Sequence, residues 1–502
     1  MARERDSVYE LLKNRLATIS DLRSAKSLLF WDQQTYMPGG GVAGRAEQVA
    51  TLSRLAHEML TDDETKGLLD ASGEPDPSSE EGALLRRALR DYERATKLPA
   101  ELVAETSRAT ALAEPDWVRA REESDWPLFA PHLERILDLK REAAEALGYE
   151  DHPYDALLDA YEPGAEKARL EIMFKELKEG VLPLIRAVVA KGDGKDRAAP
   201  LRGAFGEARQ EEFGRAVISA FGYDWERGRQ DSSVHPFCIN FGPGDVRITT
   251  RFDGGWLAPA LFGTMHEAGH ALYEQGVDPS YARTPLGGGT SMGVHESQSR
   301  LWENLVGRSR AFWSHYYPKL REVFSEVLGE IDVREFYGAI NVLEPSEIRV
   351  EADEVTYNLH ILLRFELEVA LIEGSLSVAD LPAAWNSKME EYLGVIPKND
   401  SAGVLQDIHW ADGLFGYFPT YVIGSVLSVQ FFGAALEAHP EITEETRSGR
   451  FSTLLGWLRE NVHRHGSRYY PDDLVERATG RPLDTAPYLR YLEDKFGELY
   501  DL

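Results

Sequence analysis

The segment His266-Glu267-Ala268-Gly269-His270 carries two imidazoles and a carboxylate at a spacing that can do metal chemistry. On an α-helix, residues i and i+4 share one face. His266 and His270 can therefore aim at one ion, and Glu267 can reach a water molecule beside it. This is the H-E-x-x-H pattern of two zinc ligands and a general base. A catalytic zinc also needs a third protein ligand and an open position. Glu296, in His295-Glu296 after the glycine run 287–289, is the next candidate. It falls near the first turn of a helix expected over 294–307, where an acid also complements the helix dipole. Spacing leaves both readings open. His295 is placed to orient Glu296 or Gln298.

These groups need a helix and a frame. Pro259 suits a first turn, Leu261, Phe262, Met265 and Leu272 supply an apolar face, and Gly276 can cap the end. Ala268 and Gly269 are small enough to admit another element closely. Residues 237–241 and 246–252 read as strands around the turn Gly242-Pro243-Gly244-Asp245, a hairpin just before the motif helix. Helical periodicity runs through 8–30 (Leu12, Leu16, Ile19, Leu22), 43–60, 80–96, 128–147 and 165–191. It returns over 293–310, 355–372 and 381–393. Residues 73–79 and 191–203 (with Gly192, Gly194 and Gly203) read as loops, the second as an exposed connection between lobes. The expectation is a mainly α protein with a small β-sheet, and no repeat or low-complexity tract.

A net charge of −29 over 502 residues disfavours nucleic acid and anionic membranes as partners, since both repel it. The single cysteine, Cys238, excludes an intrachain disulfide, fits a cytoplasmic location and reads as a small buried apolar residue. The charged start Met1-Ala2-Arg3-Glu4-Arg5-Asp6 has no apolar signal core, so no secretion is expected. The apolar run 421–436 is interrupted by Ser425, Ser428 and Gln430 and falls short of the ~20 residues of a membrane span, which makes it a buried helix.

Several separated motifs resemble the thermostable-carboxypeptidase family of HEXXH zinc metallocarboxypeptidases. They are Asp245-Val246-Arg247-Ile248-Thr249, the 266–270 segment, His295-Glu296-Ser297-Gln298, Ile348-Arg349-Val350-Glu351-Ala352-Asp353 and Gly403-Val404-Leu405-Gln406-Asp407-Ile408-His409-Trp410. Trp31-Asp32-Gln33-Gln34-Thr35 and Met37-Pro38 match its N-terminal region, so the likeness spans the chain. The resemblance implies a zincin-like helical peptidase with a deep substrate groove, forming one peptidase domain over 1–502 with two helical lobes. It implies Glu296 as third ligand, zinc as cofactor with cobalt as a substitute, peptide substrates, release of single C-terminal residues with broad specificity, and a homodimer. It also places Arg349 and Arg247 along the groove. Arginine holds a free carboxylate best because its planar fork meets both oxygens. Arg349 is the first candidate and Arg247 the second, although Asp245 or Asp353 could pair with either instead. His235, His409 and Tyr421 are candidate donors to substrate or oxyanion, the alternative being ordinary buried polar groups. An endopeptidase or oligopeptidase of the same architecture has no use for a carboxylate clamp. A catalytically silent metal-binding protein has no use for Glu267.

Overall fold

The computed structural model describes residues 2–192 and 196–502, with side chains from residue 7 onward. Gly194, within the connection expected over 191–203, lies outside the described residues. The chain divides into two compact units. The first comprises Met1–Thr96, Arg197–Ile340 and Leu427–Leu483; the second comprises Lys97–Asp196, Asn341–Val426 and Asp484–Leu502.

Helix dominates both. Ala2–Thr35, Val42–Thr61, Glu80–Lys97, Trp126–Leu147 and Lys167–Ala190 form where the periodicity places them. In the first unit, Leu12, Leu16 and Ile19 pack with Leu60, Ala88, Tyr281 and Leu286. Burial of such side chains contributes roughly 1.5–3 kcal/mol each. It ties the first helix to the loop that follows the metal-motif helix. Leu22 is only partly buried against the same cluster. The 191–203 connection is less open than its composition suggests, because Ala199–Leu201 form a 3-10 turn and Leu201 is buried.

The sheet has three strands, β1 (Gln230–Ser232), β2 (Cys238–Asn240) and β3 (Val246–Thr250), in the order β1-β3-β2. The expected hairpin is present, with Ile239 opposite Arg247 in an antiparallel register. β1 runs parallel to β3, Gln230 opposite Ile248. Three residues beginning Gln-Asp carry no alternation, so the sequence does not reveal β1. Cys238 is free and only partly buried. The sheet meets the motif helix through Thr264, whose hydroxyl lies 3.3 Å from that of Thr250 and accepts a bond from Gln230.

Helix α1 (Leu257–Gly276) holds Pro259 in its first turn and buries Leu261, Phe262, Met265 and Leu272. Its C-cap is Val277, and Gly276 is the last helical residue. A Cβ on Gly276 would stand 2.6 Å from Cβ of His463, so packing explains this glycine better than capping does. Helix α2 (Met292–Arg300) starts at a Ser291 cap whose side chain accepts from the Val294 amide. It does not continue straight to residue 310. A π-helical turn spans Leu301–Val306, and a new helix opens at Arg310, capped by Ser309. α1 and α2 cross at Gly269, where a Cβ would lie 2.6 Å from Gln298 O and 2.6 Å from Ser299 Cα.

In the second unit, α3 (Tyr357–Glu373) is buried nearly all round, as its apolar sequence requires. His360, Arg364 and Glu368 nevertheless follow one another at four-residue steps on one face. Helix α4 (Pro419–Ala438) starts in the second unit and belongs to the first from Leu427 on; it is longer than the 421–436 run, and its 20 residues are long and apolar enough to cross a membrane. It is instead a core helix. Val422, Val426 and Phe431 are buried, and Gln430 donates to the Pro482 carbonyl at 2.8 Å.

The crossing at Gly269 yields a prediction. Gly269→Ala should cost about 1–3 kcal/mol through overpacking against backbone. It should also weaken metal binding, since α1 and α2 carry the candidate ligands. Thermal unfolding and chelator competition would measure both, and an unchanged melting temperature would disprove the close approach.

Candidate functional site

His266 and His270 sit one turn apart on α1, and Glu296 faces them from the second turn of α2. Their ligand atoms all lie within 4.8 Å of one another. Glu296 Oε2 is 3.5 Å from His266 Nε2 and 3.4 Å from His270 Nε2, longer than a good hydrogen bond. Atoms bound at 2.0–2.2 Å in a tetrahedral array are separated by about 3.3–3.6 Å. The donor set thus fits a small tetrahedral cation, and the first-turn alternative for Glu296 does not describe it.

Each ligand is held from behind. His266 Nδ1 donates to Glu303 Oε2 at 2.9 Å, a carboxylate that the π-turn carries. His270 Nδ1 lies 2.6 Å from His295 Nδ1, and His295 Nε2 lies 2.7 Å from Glu274 Oε1. A carboxylate accepts, so His295 donates through Nε2 and its Nδ1 accepts from His270. In that tautomer, with Nδ1 donating in each case, both candidate histidines would offer Nε2 to an ion. Glu274 is anchored by the side chain of Asn240 on β2 and by the Gly289 amide at 3.1 Å. A Cβ on Gly289 would stand 2.8 Å from the His295 ring, which accounts for a glycine in that loop. Glu296 Oε1 is taken by Arg300 Nε at 2.7 Å, leaving Oε2 toward the histidines. His295 therefore orients His270 and not Glu296 or Gln298, and Gln298 bonds His463 instead.

Charge follows this arrangement. Burial opposes ionisation of Glu296, but Arg300 and His266 hold it far below the usual carboxylate range. Burial likewise opposes Glu303, which His266, Arg300 and Arg308 bring down to about 2. Burial would lower His266, yet Glu296 and Glu303 raise it to about 9. Burial, with His295 and His266 beside it, brings His270 down to about 3. Glu267 is buried, which raises its carboxyl to about 7. It makes no hydrogen bond among the described residues, so its oxygens are uncommitted.

The remaining sequence candidates form other groupings. Arg247 matches Asp245 fork to fork at 2.8 and 2.7 Å and lies over the Trp31 ring. His235 is exposed on the loop between β1 and β2. Arg349, His409 and Tyr421 belong to the second unit. Arg349 is buried, and its Nε and Nη2 meet Asp407 Oδ1 at 2.9 and 2.8 Å, with Nη1 3.1 Å from the Tyr357 hydroxyl. Its carboxylate partner is therefore Asp407; Asp353 caps the Val355 and Thr356 amides. His409 Nε2 lies 3.1 Å from the Tyr421 hydroxyl and its ring stacks on Phe418. Glu303, Glu274, Asp407 and Arg364 are partners that motif reading passes over. The signal for Arg364 was available, as a lone cation within the apolar run of α3.

The model of a family described as carboxypeptidase Taq (M32) metallopeptidase matches residues 11–496. "Thermostable carboxypeptidase 1" of Thermus thermophilus is 45% identical, with 99% of each chain covered. "Carboxypeptidase 1" of Bacillus subtilis is 40% identical, with 98% of each covered. The crystal structure of an M32 carboxypeptidase from Deinococcus radiodurans superposes with a TM-score of 0.96 at 44% identity, covering 99% of this chain and 100% of that one.

The support behind His270 can be tested without an activity assay. His295→Ala should weaken metal binding roughly 10–100-fold, because His270 loses the acceptor that fixes its ring. Competition against a chromophoric chelator reads this, and an unchanged affinity would mean that something else orients His270.

Proposed function

Because this chain belongs to the carboxypeptidase Taq (M32) metallopeptidase family and is a metallocarboxypeptidase, we propose that it is zinc-dependent and releases single C-terminal residues from peptides with broad specificity. The observation that carries the reading is the convergence of two bare Nε2 atoms and Glu296 Oε2 beside an uncommitted Glu267. Two nitrogens and an oxygen suit zinc and discriminate poorly against cobalt.

When bound, the ion supplies Lewis acidity toward water and the scissile carbonyl. His266 and His270 hold it through Nε2, and Glu296 through Oε2. Glu267 accepts a proton from water at a carboxylate oxygen and returns it to the leaving amine. Burial raises this carboxyl, which suits a group that takes up a proton and returns it. Tyr421, fixed by His409, donates to the developing oxyanion. Arg349 reads the terminal carboxylate. Charge favours it over Arg247, because Asp245 neutralises Arg247 one to one, whereas Arg349 shares Asp407 with a second arginine. Arg247 and His235 remain proposed contacts along the peptide. The chain acts on peptides as a cytoplasmic homodimer, a reading that the family resemblance supports and the acidic composition suits.

Two measurements test these roles. Glu267→Gln should retain stoichiometric metal and lose nearly all turnover, whereas His270→Ala and Glu296→Ala should lose metal as well. Near-normal turnover in Glu267→Gln would sink the base assignment. For the clamp, two N-blocked peptides differing only in a terminal carboxylate or amide are compared. Truncating a buried, charge-assisted contact costs roughly 2–5 kcal/mol, so Arg349→Ala should lower kcat/KM on the carboxylate peptide by about two orders of magnitude. It should barely affect the amide, and lysine should rescue only in part. Equal cleavage of both peptides by the wild type would favour an endopeptidase.

A further inference from the structure

Arg364 has a side chain that is 0% exposed, yet it belongs to the same charged group as Arg349. Its Nε donates to Asp407 Oδ2 at 2.7 Å, its Nη1 to the His360 carbonyl at 2.6 Å, and its Nη2 to Gln406 Oε1 at 2.9 Å. Arg349 takes the other oxygen of Asp407. One carboxylate is thus shared by two guanidinium groups.

The neighbours do not change this count. Burial opposes the charge on Asp407, but Arg349 and Arg364 hold it far below the usual carboxylate range. Burial lowers Arg364 to about 10, which leaves it protonated at neutral pH. Burial keeps His409 neutral, at about 3. Burial and then Arg364 and Arg349 depress His360 in the same way. Glu368 feels the charge of Arg364, but burial raises its carboxyl to about 7 and its hydrogen bonds come from Tyr154, Trp410 and the Gly416 amide, not from either arginine. Two cations therefore share one directly bonded anion, and positive charge is left over at the pair. Arg364 cannot present it, being closed off. Arg349 can, because its bonds to Asp407 and Tyr357 occupy three of five N–H groups and leave two without a partner among the described residues.

We propose that Arg364 sets the preference for a free terminal carboxylate by supplying the surplus positive charge that Arg349 presents. Arg364 then determines specificity without touching substrate. Were Arg349 alone with Asp407, the pair would be neutral, and an incoming carboxylate would have to share a guanidinium with a like charge. This inference rests on Arg349 as the group that reads the carboxylate.

The test uses the full-length metal-loaded enzyme and the same pair of N-blocked peptides, ending in carboxylate or amide. The quantity is the ratio of their kcat/KM values. Arg364→Gln should lower that ratio by about tenfold or more, through a raised KM for the carboxylate peptide, while the amide peptide changes less than about threefold. Arg364→Lys keeps the charge and should hold the ratio within about threefold of wild type. The double variant Arg364→Gln/Asp407→Asn again leaves one net positive charge and should recover most of the ratio. The lysine and double variants also carry the test should the single Gln variant not fold. A ratio unchanged in Arg364→Gln overturns the proposal, as does a ratio lost in both Arg364→Lys and the double variant. A wild type indifferent to the terminus overturns the Arg349 assignment and this inference with it.

Discussion

Two imidazole nitrogens stand 3.5 and 3.4 Å from one carboxylate oxygen, a gathering of acceptors that repels itself unless a cation stands between them. The first unit is organised around resisting that repulsion. Glu303 holds His266, a histidine and Glu274 hold His270, and Arg300 holds Glu296. Glu303 comes from the π-turn, His295 and Arg300 from α2, and Glu274 from the last turn of α1, where the glycine loop and β2 brace it. The two helices can meet closely because the crossing residue, Gly269, has no side chain.

The second unit solves a related problem with the opposite sign. Arg364, Arg349 and Asp407 are withdrawn from water at a cost that pairing must offset. Each oxygen of Asp407 accepts from a different arginine, and Gln406 and the His360 carbonyl accept from the rest of Arg364. The metal site gathers acceptors that want a cation, and this cluster gathers donors with one charge to spare.

The proposed histidine pair and base were legible because a four-residue step on a helix is a local rule, whereas spacing left Glu296 open and only the family resemblance pointed to it. The hairpin and the long helices were legible for the same reason, through turn chemistry and apolar periodicity. The supporting layer was not. Glu303 depends on a π-turn, and nothing in Leu-Trp-Glu-Asn-Leu-Val announces a wider helix. β1 is too short to alternate. Asp407 lay inside a quoted motif, but its role as partner of both Arg349 and Arg364 is set by tertiary placement 58 and 43 residues away. Gly276 was assigned to a cap by the usual statistics, and packing against His463 decided otherwise.

The cluster that seats the first helix against Tyr281 and Leu286 has a consequence for how the protein is made. Leu12, Leu16 and Ile19 leave the ribosome early, and part of their cover, around Ala56, Leu60 and Leu84, follows soon after. The rest is encoded more than two hundred residues downstream. At about 5–20 residues per second, the nascent chain waits on the order of tens of seconds with that apolar stripe half covered. Only then can the loop carrying Gly289 settle behind Glu274. The supports of the candidate metal site all lie within residues 240–303 and are translated together, so the late step is the seating of the first helix, and a nascent chain released early would expose the same apolar residues that the finished protein hides.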